Sequence, residues 1–253
     1  MKKILFDYKD KILKLPIKDK YSKEDLLIED FLVDKNGDIE IYYAPHNDYI
    51  NSKAKVFIIG ITPGFQQMNI AMVMARKELE LGTDIEKIQY LCKKAGRFSG
   101  SIRNNIIFML DELELNKKLK IDSCRELFGE KDYLLHTVSL IPYSVFIKGK
   151  NYSGHTPKLI NSKFLMKYVR ENFIEELNSL ESAKDVLIIP LGRAVEDVLL
   201  NLSDEGIIDK NQILFDFPHP SGANVNMKTQ FNENKEMMKK KIKEYYSWKV
   251  KSI

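Results

Sequence analysis

Residues 56–64 have the sequence Val-Phe-Ile-Ile-Gly-Ile-Thr-Pro-Gly, an apolar run that ends in a Pro-Gly turn. A short run in which every residue is apolar predicts a strand buried on both faces, which is typical of a parallel sheet covered by helices. Three further runs of this kind follow along the chain: 133–135 up to His136, 186–190, and 213–215 up to Pro218. The sequence therefore predicts a central, mainly parallel four-stranded sheet.

Segments with apolar residues at three- and four-residue steps lie between these runs, as expected for amphipathic helices. These segments are 70–81, 85–94, 102–115, 164–180, 194–202 and 231–245. Strand–helix alternation predicts an α/β fold, specifically a three-layer α/β/α sandwich with right-handed crossovers. Ligands of such sheets bind beyond the carboxyl ends of the strands. We therefore expect the residues that follow the four runs to converge on one site.

The first fifty residues precede this pattern. Residues 32–43 predict a hairpin, with two apolar-rich arms around Asn36-Gly37, a dipeptide that accepts positive φ in a tight turn. We predict an N-terminal extension over residues 1–50, with this hairpin packed on the core, and a main domain over residues 51–253.

Composition narrows the possible functions. The formal net charge of +4 permits a phosphate-backbone partner without requiring one. The two cysteines form no Cys-x-x-Cys pair, and no glycine-rich phosphate loop follows any strand, which disfavours metal, dinucleotide and triphosphate sites. No apolar stretch has the length of a membrane span or a signal peptide. We expect a cytoplasmic monomer without a metal or cofactor.

Two short motifs flank the predicted core. The first strand leads into Gly-Ile-Thr-Pro-Gly at 60–64, and the last run leads into His-Pro-Ser-Gly-Ala-Asn at 219–224. Each motif alone is common in turns. In this order and spacing, over about residues 56–232, the pair resembles the two signature motifs of the uracil-DNA glycosylase superfamily. The resemblance implies a DNA-binding enzyme that flips one base out of DNA and hydrolyses its N-glycosidic bond, leaving an abasic site. No lysine matches a Schiff-base position, so we expect a monofunctional glycosylase.

The resemblance implies two catalytic residues. The third residue of the first motif orients the attacking water in the family, where it is Asp or Asn; here it is Thr62. A threonine hydroxyl can accept a hydrogen bond from water but cannot act as a base at neutral pH. The histidine of the last motif, here His219, donates a hydrogen bond to a carbonyl oxygen of the leaving base. A neutral imidazole can do this if its other nitrogen is held by the backbone.

The rest of the last motif is expected to contact DNA. Ser221 and the backbone amides around Gly222 suit a phosphate. The residue that follows usually fills the gap left by the flipped base, and here it is Ala223, which is too small. Either Asn224 contributes or another loop supplies the wedge; Val225 comes next in the chain.

Two other loops offer phosphate or base contacts. Phe98 resembles the aromatic residue that stacks on the flipped base in the family, and a place in the core is an equal alternative for it. Ser99, in the glycine-containing loop that follows, suits a phosphate, as does Arg193 at the start of a helix.

The resemblance also bears on base recognition. Gly64 lies where the strictest uracil enzymes place a tyrosine that blocks the 5-position of the ring, and Phe65 follows it. His136 lies where the family commonly has an asparagine that matches the edge of uracil. An imidazole cannot reproduce that paired donor and acceptor. It either recognises a different base or is a satisfied core histidine.

A polar and aromatic stretch over 143–158 adds Tyr152 and His155, which suit a loop that covers a substrate or contacts DNA. An exposed polar loop is the alternative. Together with the open position at Gly64, these residues suggest a modified base, for example glucosylated hydroxymethylcytosine in foreign DNA, and hence antiviral defence. The alternatives are a uracil or mismatch repair glycosylase, a catalytically silent binder of DNA or modified bases, and a nucleoside hydrolase.

The absence of clustered ligands and phosphate loops from the sequence leads to a first prediction. Base release should proceed at the same rate in EDTA as in buffer with magnesium, and without added nucleotide. A rate that falls in the chelator and recovers with a divalent ion would overturn this expectation.

Overall fold

The computed structural model describes residues 4–98, 100–181 and 185–251, and over this part the protein is mixed α/β. The α-helices of this part are α1 (Leu5–Leu13), α2 (Lys23–Leu26), α3 (Phe65–Glu80), α4 (Ile85–Gly96), α5 (Gly100–Glu112), α6 (Leu115–Leu119), α7 (Lys163–Tyr168), α8 (Ile174–Asn178), α9 (Arg193–Asp204) and α10 (Met227–Lys251). Its strands are β1 (Leu32–Asn36), β2 (Ile39–Tyr42), β3 (Val56–Gly60), β4 (Leu135–Ser139), β5 (Ser144–Ile147), β6 (Lys150–Asn151) and β7 (Leu187–Pro190). None of the helices in the described ranges is long and apolar enough to cross a membrane.

The chain folds into two compact units, and each is built from three separate segments. Unit 1 comprises Met1–Ile50, Ile61–Arg97 and Val138–Glu176. Unit 2 comprises Asn51–Gly60, Phe98–Thr137 and Leu177–Ile253. The chain therefore leaves unit 2 for unit 1 directly after β3, within the first motif. The division into an extension over 1–50 and a domain over 51–253 stays a prediction, as does the arrangement in three layers.

Unit 1 contains a four-stranded antiparallel sheet in the order β1-β2-β5-β6. The predicted hairpin is confirmed: β1 and β2 pair across a turn in which Gly37 has φ +58°. The prediction of a loop over 143–158 is wrong for its first half, which forms β5 and β6. Lys148 and Gly149 connect these strands, with φ of +49° and +69°, the two positive values that a tight hairpin turn needs.

Unit 2 contains the predicted parallel core. Its sheet has the order β4-β3-β7, and β3 pairs parallel with β7 in a register that runs from Val56–Leu187 to Ile59–Pro190. Every residue of β7 is buried, as are the first four of β3, so the expectation of strands covered on both faces is confirmed. Alternate residues of these strands pack into one core with α5 and α10: Val56, Ile58, Leu187, Ile189, Ile106, Ile107, Met109, Leu110, Phe231, Met238 and Ile242.

The second predicted strand begins later than expected. A 3-10 turn occupies Asp132–Leu134, and β4 runs from Leu135 to Ser139. His136 is therefore the second residue of the strand, and the prediction that the strand ends there is wrong. Ser139 lies at its carboxyl end and is buried.

The fourth predicted strand is not formed as a full strand, so the sheet has three strands instead of four. Ile213 makes a single parallel bridge with Ile188, and the Leu214 N–H donates to the Ile188 carbonyl at 2.8 Å. The chain then turns away at Asp216, which has φ +63°, and Pro218 has no N–H to donate to a ladder.

The predicted helices are all present with shifted ends. The segment predicted as one helix over 164–180 is divided into α7 and α8 by a π-helix at Val169–Phe173. Helix α3 starts directly after the first motif, and α10 starts shortly after the last one. Periodicity thus located both helices that adjoin the motifs.

Candidate functional site

The His219 side chain is exposed, and its Nδ1 accepts a backbone hydrogen bond. The Ser221 N–H donates to His219 Nδ1 at 3.3 Å. A neutral imidazole carries one proton, so this acceptor role at Nδ1 leaves the proton on Nε2. Asn224 closes the turn from the other end, because its N–H donates to the Ser221 carbonyl at 3.0 Å and its Nδ2 donates to the His219 carbonyl at 3.1 Å.

Helix α5 and two prolines fix the backbone on either side of His219. Asn105 Nδ2, on α5, donates to the Pro220 carbonyl at 2.9 Å. Pro218 and Pro220 are both buried, whereas His219 between them is exposed. The side chain therefore projects from an anchored stretch of chain.

The turn between β7 and α9 supports this stretch. The Gly192 N–H donates to the Phe217 carbonyl at 3.1 Å, and Gly192 has φ +84°. A Cβ atom at Gly192 would lie 2.9 Å from His219 Cβ, closer than packed carbons approach. Glycine is therefore needed here both for its backbone conformation and for the space that His219 occupies.

Arg193, predicted to bind phosphate, makes ion pairs within its own helix. Its guanidinium lies 2.7 Å from Glu196 and 3.0 Å from Asp197, although the side chain is 68% exposed. Glu196 is buried, and its other oxygen accepts the Asp216 N–H at 2.6 Å. Burial raises the pKa of Glu196, while this N–H and the Arg193 charge act to lower it.

The Thr62 hydroxyl is engaged with the strand-forming segment of unit 1. It donates to the Tyr143 carbonyl and accepts the Val145 N–H at 3.0 Å. Its only proton and one of its two lone pairs are thus used by the backbone. Thr62 can offer at most one further acceptor site to a water molecule.

Gly64 caps the start of α3, and two side chains satisfy the free N–H groups there. The Gly64 N–H donates to Gln67 Oε1 at 3.2 Å, and the Phe65 N–H donates to Asn151 Oδ1 at 3.0 Å. A Cβ atom at Gly64 would meet only Asn151, at an ordinary 3.6 Å. The open position predicted at Gly64 thus has room for at least a methyl group.

Gln67 is supported in turn by a buried histidine. Gln67 Nε2 lies 3.4 Å from His46 Nε2 and donates to the Gly96 carbonyl at 3.2 Å. Burial, with the nearby charges of Lys93 and Arg97, holds the pKa of His46 well below its usual range, so the ring is neutral.

His136 lies in the interior of unit 2. It is 2% exposed, its ring is 4.9 Å from the Phe57 ring, and its Nδ1 accepts the Asn51 N–H at 3.5 Å. Phe57 pairs with Ile188, two residues and roughly 7 Å before the carboxyl end of β7. These contacts favour the alternative of a satisfied core histidine.

Of the other residues predicted to contact the base, Phe98 and Tyr152 are engaged within the protein and His155 is exposed. Phe98 packs against the core of unit 2, and its carbonyl accepts Arg103 Nε at 2.6 Å, which favours the core alternative; Ser99 lies outside the described residues. Tyr152 is buried and donates to the Pro157 carbonyl at 2.6 Å, whereas His155 is exposed.

The tip of the last motif is exposed. Gly222 and Ala223 are exposed, and Val225 is 87% exposed, the largest exposed fraction among the large apolar side chains that the structure describes. Single exposed apolar side chains are common on protein surfaces, so this exposure alone assigns no role to Val225.

Each unit thus gathers part of the predicted set. In unit 2, the residues brought together are His219, Ser221, Gly222, Ala223, Asn224 and Arg193; in unit 1 they are Thr62, Gly64 and Phe65. That the two groups serve one site stays a prediction. Asn151 lies in the polar stretch 143–158 that the sequence singled out. Sequence reasoning missed Glu196 and Asn105, of which only Glu196 left a signal, as a carboxylate three residues after Arg193 on a helix.

The described residues contain no group of three or more His, Cys, Asp or Glu side chains placed to hold a metal ion. No protein-family model matches the chain. The chain is 40% identical over 241 residues to the uncharacterized protein YoxB of Bacillus subtilis (strain 168), covering 95% of this chain and 93% of YoxB. It therefore belongs to the YoxB family. Among solved structures, the crystal structure of wild-type SMUG2 of Pedobacter heparinus is similar, with a TM-score of 0.43 and 14% identity, over 92% of this chain and 97% of that chain.

The contact between Gly192 and His219 leads to a prediction with a matched control. Gly206 also has positive φ, +76°, but a Cβ atom there meets nothing within 4 Å. Gly206→Ala should lower the free energy of unfolding by about 1 kcal/mol through backbone strain alone. Gly192→Ala should lower the free energy of unfolding, measured in urea, by more than this, because its methyl group also displaces His219.

The His219 imidazole signals in NMR should shift in Gly192→Ala and stay in place in Gly206→Ala. Equal losses of stability and unchanged imidazole signals in both variants would show that the predicted clash does not occur.

Proposed function

We propose that this protein is a monofunctional DNA glycosylase of the uracil-DNA glycosylase type. The observation that carries the proposal is the state of His219. It stands in the motif that resembles the superfamily, it is exposed, and Ser221 holds its Nδ1 so that Nε2 is a donor. A fixed N–H donor on an exposed side chain suits a departing base whose carbonyl oxygen gains negative charge.

The reaction breaks the bond between C1′ of the sugar and the ring nitrogen of the base, and the bonding electrons leave with the base. His219 Nε2–H stabilises the resulting anion through a hydrogen bond to its carbonyl oxygen. Water then adds to the cationic sugar at C1′ and loses a proton to solvent. Because the sugar develops positive charge before water adds, stabilisation of the leaving base matters more than a strong base near the water.

Contacts to DNA are assigned to the loop that follows His219. The exposed backbone around Gly222, together with Ser221, suits a phosphate. Ala223 is too small to fill the gap left by a flipped base, and Val225 supplies a larger apolar side chain two residues further on. The 87% exposure of Val225 supports this role.

A second candidate function, a catalytically silent binder of DNA or modified bases, is favoured by one observation. The Thr62 hydroxyl is committed to Tyr143 and Val145, and no carboxylate replaces it in the first motif. An enzyme that needed a strongly oriented water would be impaired by this arrangement. Release of free base from a defined duplex separates the two functions.

We further propose that the preferred base is larger than uracil, for example a modified cytosine of foreign DNA. Gly64 supports this, because a Cβ atom at that position would only touch Asn151 at 3.6 Å and no bulky side chain closes the position. His136 and Tyr152 are buried, so neither supports contact with a larger base.

The role of His219 predicts the effect of its removal. His219→Ala should lower single-turnover base release by about 10²–10³-fold, the usual loss for one hydrogen-bond donor to a developing anion. His219→Gln, which keeps an N–H donor near the position of Nε2, should retain more activity. The urea midpoints of both should match wild type because the side chain is exposed.

Activity of His219→Ala within a few-fold of wild type would remove this residue from the mechanism. If wild type binds duplex DNA in a salt-dependent way yet releases no base from any substrate, the silent binder is the correct function.

The substrate proposal predicts that single-turnover release from duplexes with 5-hydroxymethylcytosine or its glucosylated form is faster than from a duplex with uracil. Gly64→Tyr should abolish release of the modified bases, whereas Gly64→Ala should retain it, since a methyl group fits. Fast release of uracil with no release of the modified cytosines would instead identify an ordinary uracil repair enzyme.

A further inference from the structure

We propose that Glu196 is a positioning residue for His219, and that Arg193 is the counter-ion of Glu196 instead of a ligand for DNA phosphate. This inference rests on the proposed function for its kinetic consequence, but the positioning itself is a property of the fold. All the residues concerned lie in unit 2.

First, Glu196 contacts the chain shortly before His219. Glu196 lies in the first turn of α9, and its side chain is 4% exposed. One carboxylate oxygen accepts the backbone N–H of Asp216 at 2.6 Å, across twenty residues of sequence. A charged acceptor makes a strong hydrogen bond to a backbone N–H, particularly when water is excluded.

The second step is the conformation that this bond stabilises. Asp216 has φ +63°, a left-handed conformation that costs free energy for any residue with a Cβ atom. Such a conformation persists where surrounding contacts over-determine it. The hydrogen bond to Glu196 is such a contact, and it fixes the direction in which the chain leaves toward His219.

The third step is the transmission from Asp216 to the imidazole. Only Phe217 and Pro218 separate Asp216 from His219, and both are buried. The Phe217 carbonyl accepts the Gly192 N–H at 3.1 Å, one residue before α9. The connector is thus bonded at two points, to Glu196 in the first turn of α9 and to Gly192 directly before it, so a displacement of Asp216 is passed on to His219.

The role of Arg193 follows from the charge on Glu196. A buried carboxylate needs a compensating charge, and Arg193 Nη1 lies 2.7 Å from the oxygen that does not hold Asp216. Arg193 Nε pairs with Asp197 Oδ1 at 3.0 Å, and Arg193 Nη1 lies 4.0 Å from Asp216 Oδ1. Three carboxylates around one guanidinium leave it poorly suited to a phosphate, which they would repel.

The experiment compares three variants. Glu196→Ala removes the acceptor for the Asp216 N–H. Glu196→Gln keeps a carbonyl acceptor and removes the charge. Asp197→Asn is the matched control, because Asp197 pairs with the same guanidinium but makes no contact with Asp216 in the hydrogen bonds described above.

Two readouts are measured on each full-length variant. The first is NMR of the His219 imidazole nitrogens, which reports whether Nδ1 or Nε2 carries the proton and requires no substrate. The second is single-turnover base release together with the Kd for duplex DNA.

In Glu196→Ala the imidazole should populate both tautomers, and base release should fall by about 10²-fold, as expected for a misplaced reacting group. The Kd for DNA should stay close to that of wild type. Glu196→Gln should restore most of the rate and the Nε2–H tautomer. Asp197→Asn should behave as wild type in both readouts.

An unchanged His219 spectrum in Glu196→Ala would overturn the proposal, whether or not the protein proves to be a glycosylase. A weaker affinity for duplex DNA in Arg193→Gln, with a smaller salt dependence, would show that Arg193 binds phosphate after all. If Glu196→Ala does not fold, Glu196→Gln decides: an upfield shift of the Asp216 amide signal, which reports loss of its hydrogen bond, together with unchanged His219 signals would overturn the proposal.

Discussion

The parallel pairing of β3 with β7 is the constraint on which the candidate site depends. Four consecutive pairs run from Val56–Leu187 to Ile59–Pro190, and all eight paired residues are buried. Because paired parallel strands end at one edge, the turn at Gly192 has a fixed position relative to the end of β3. The Leu191 N–H donates to the Ile59 carbonyl at 2.9 Å and extends this alignment to the residue before the turn. The Gly192 N–H in turn donates to the Phe217 carbonyl, two residues before His219.

Strands could be predicted from the sequence where the local pattern of apolar residues matches the burial of the strand in the fold. The runs around Val56 and Leu187 are apolar throughout because both faces of each strand are covered, and such short apolar runs indicate buried strands. The run 213–215 looks the same, but the left-handed Asp216 ends its pairing after one bridge, and φ of an aspartate is not visible in sequence. The pairing of β2 with β5 joins residues about a hundred positions apart, which no local pattern reports.

The candidate site shows the same division. The motif around His219 is identified by its resemblance to the last motif of the superfamily, and its turn is formed by local hydrogen bonds of Ser221 and Asn224. Arg193 was assigned to phosphate from its place at a helix start, yet the carboxylates of Glu196 and Asp197, three and four residues on, already predict local ion pairs. The contact of Glu196 with Asp216 spans twenty residues and a turn of unusual backbone, so it was not predictable from sequence.

The edges of the antiparallel sheet in unit 1 have a consequence for how this protein behaves at high concentration. An exposed edge strand is a template on which a strand of another molecule can pair, and this is a common start of aggregation. Here β6 has only two residues, and β1 has an irregular register between Leu32 and Asp34 followed by the charged pair of Lys35 with Glu40. Neither edge presents a long, regular row of free backbone groups, so the sheet resists growth by addition of a foreign strand.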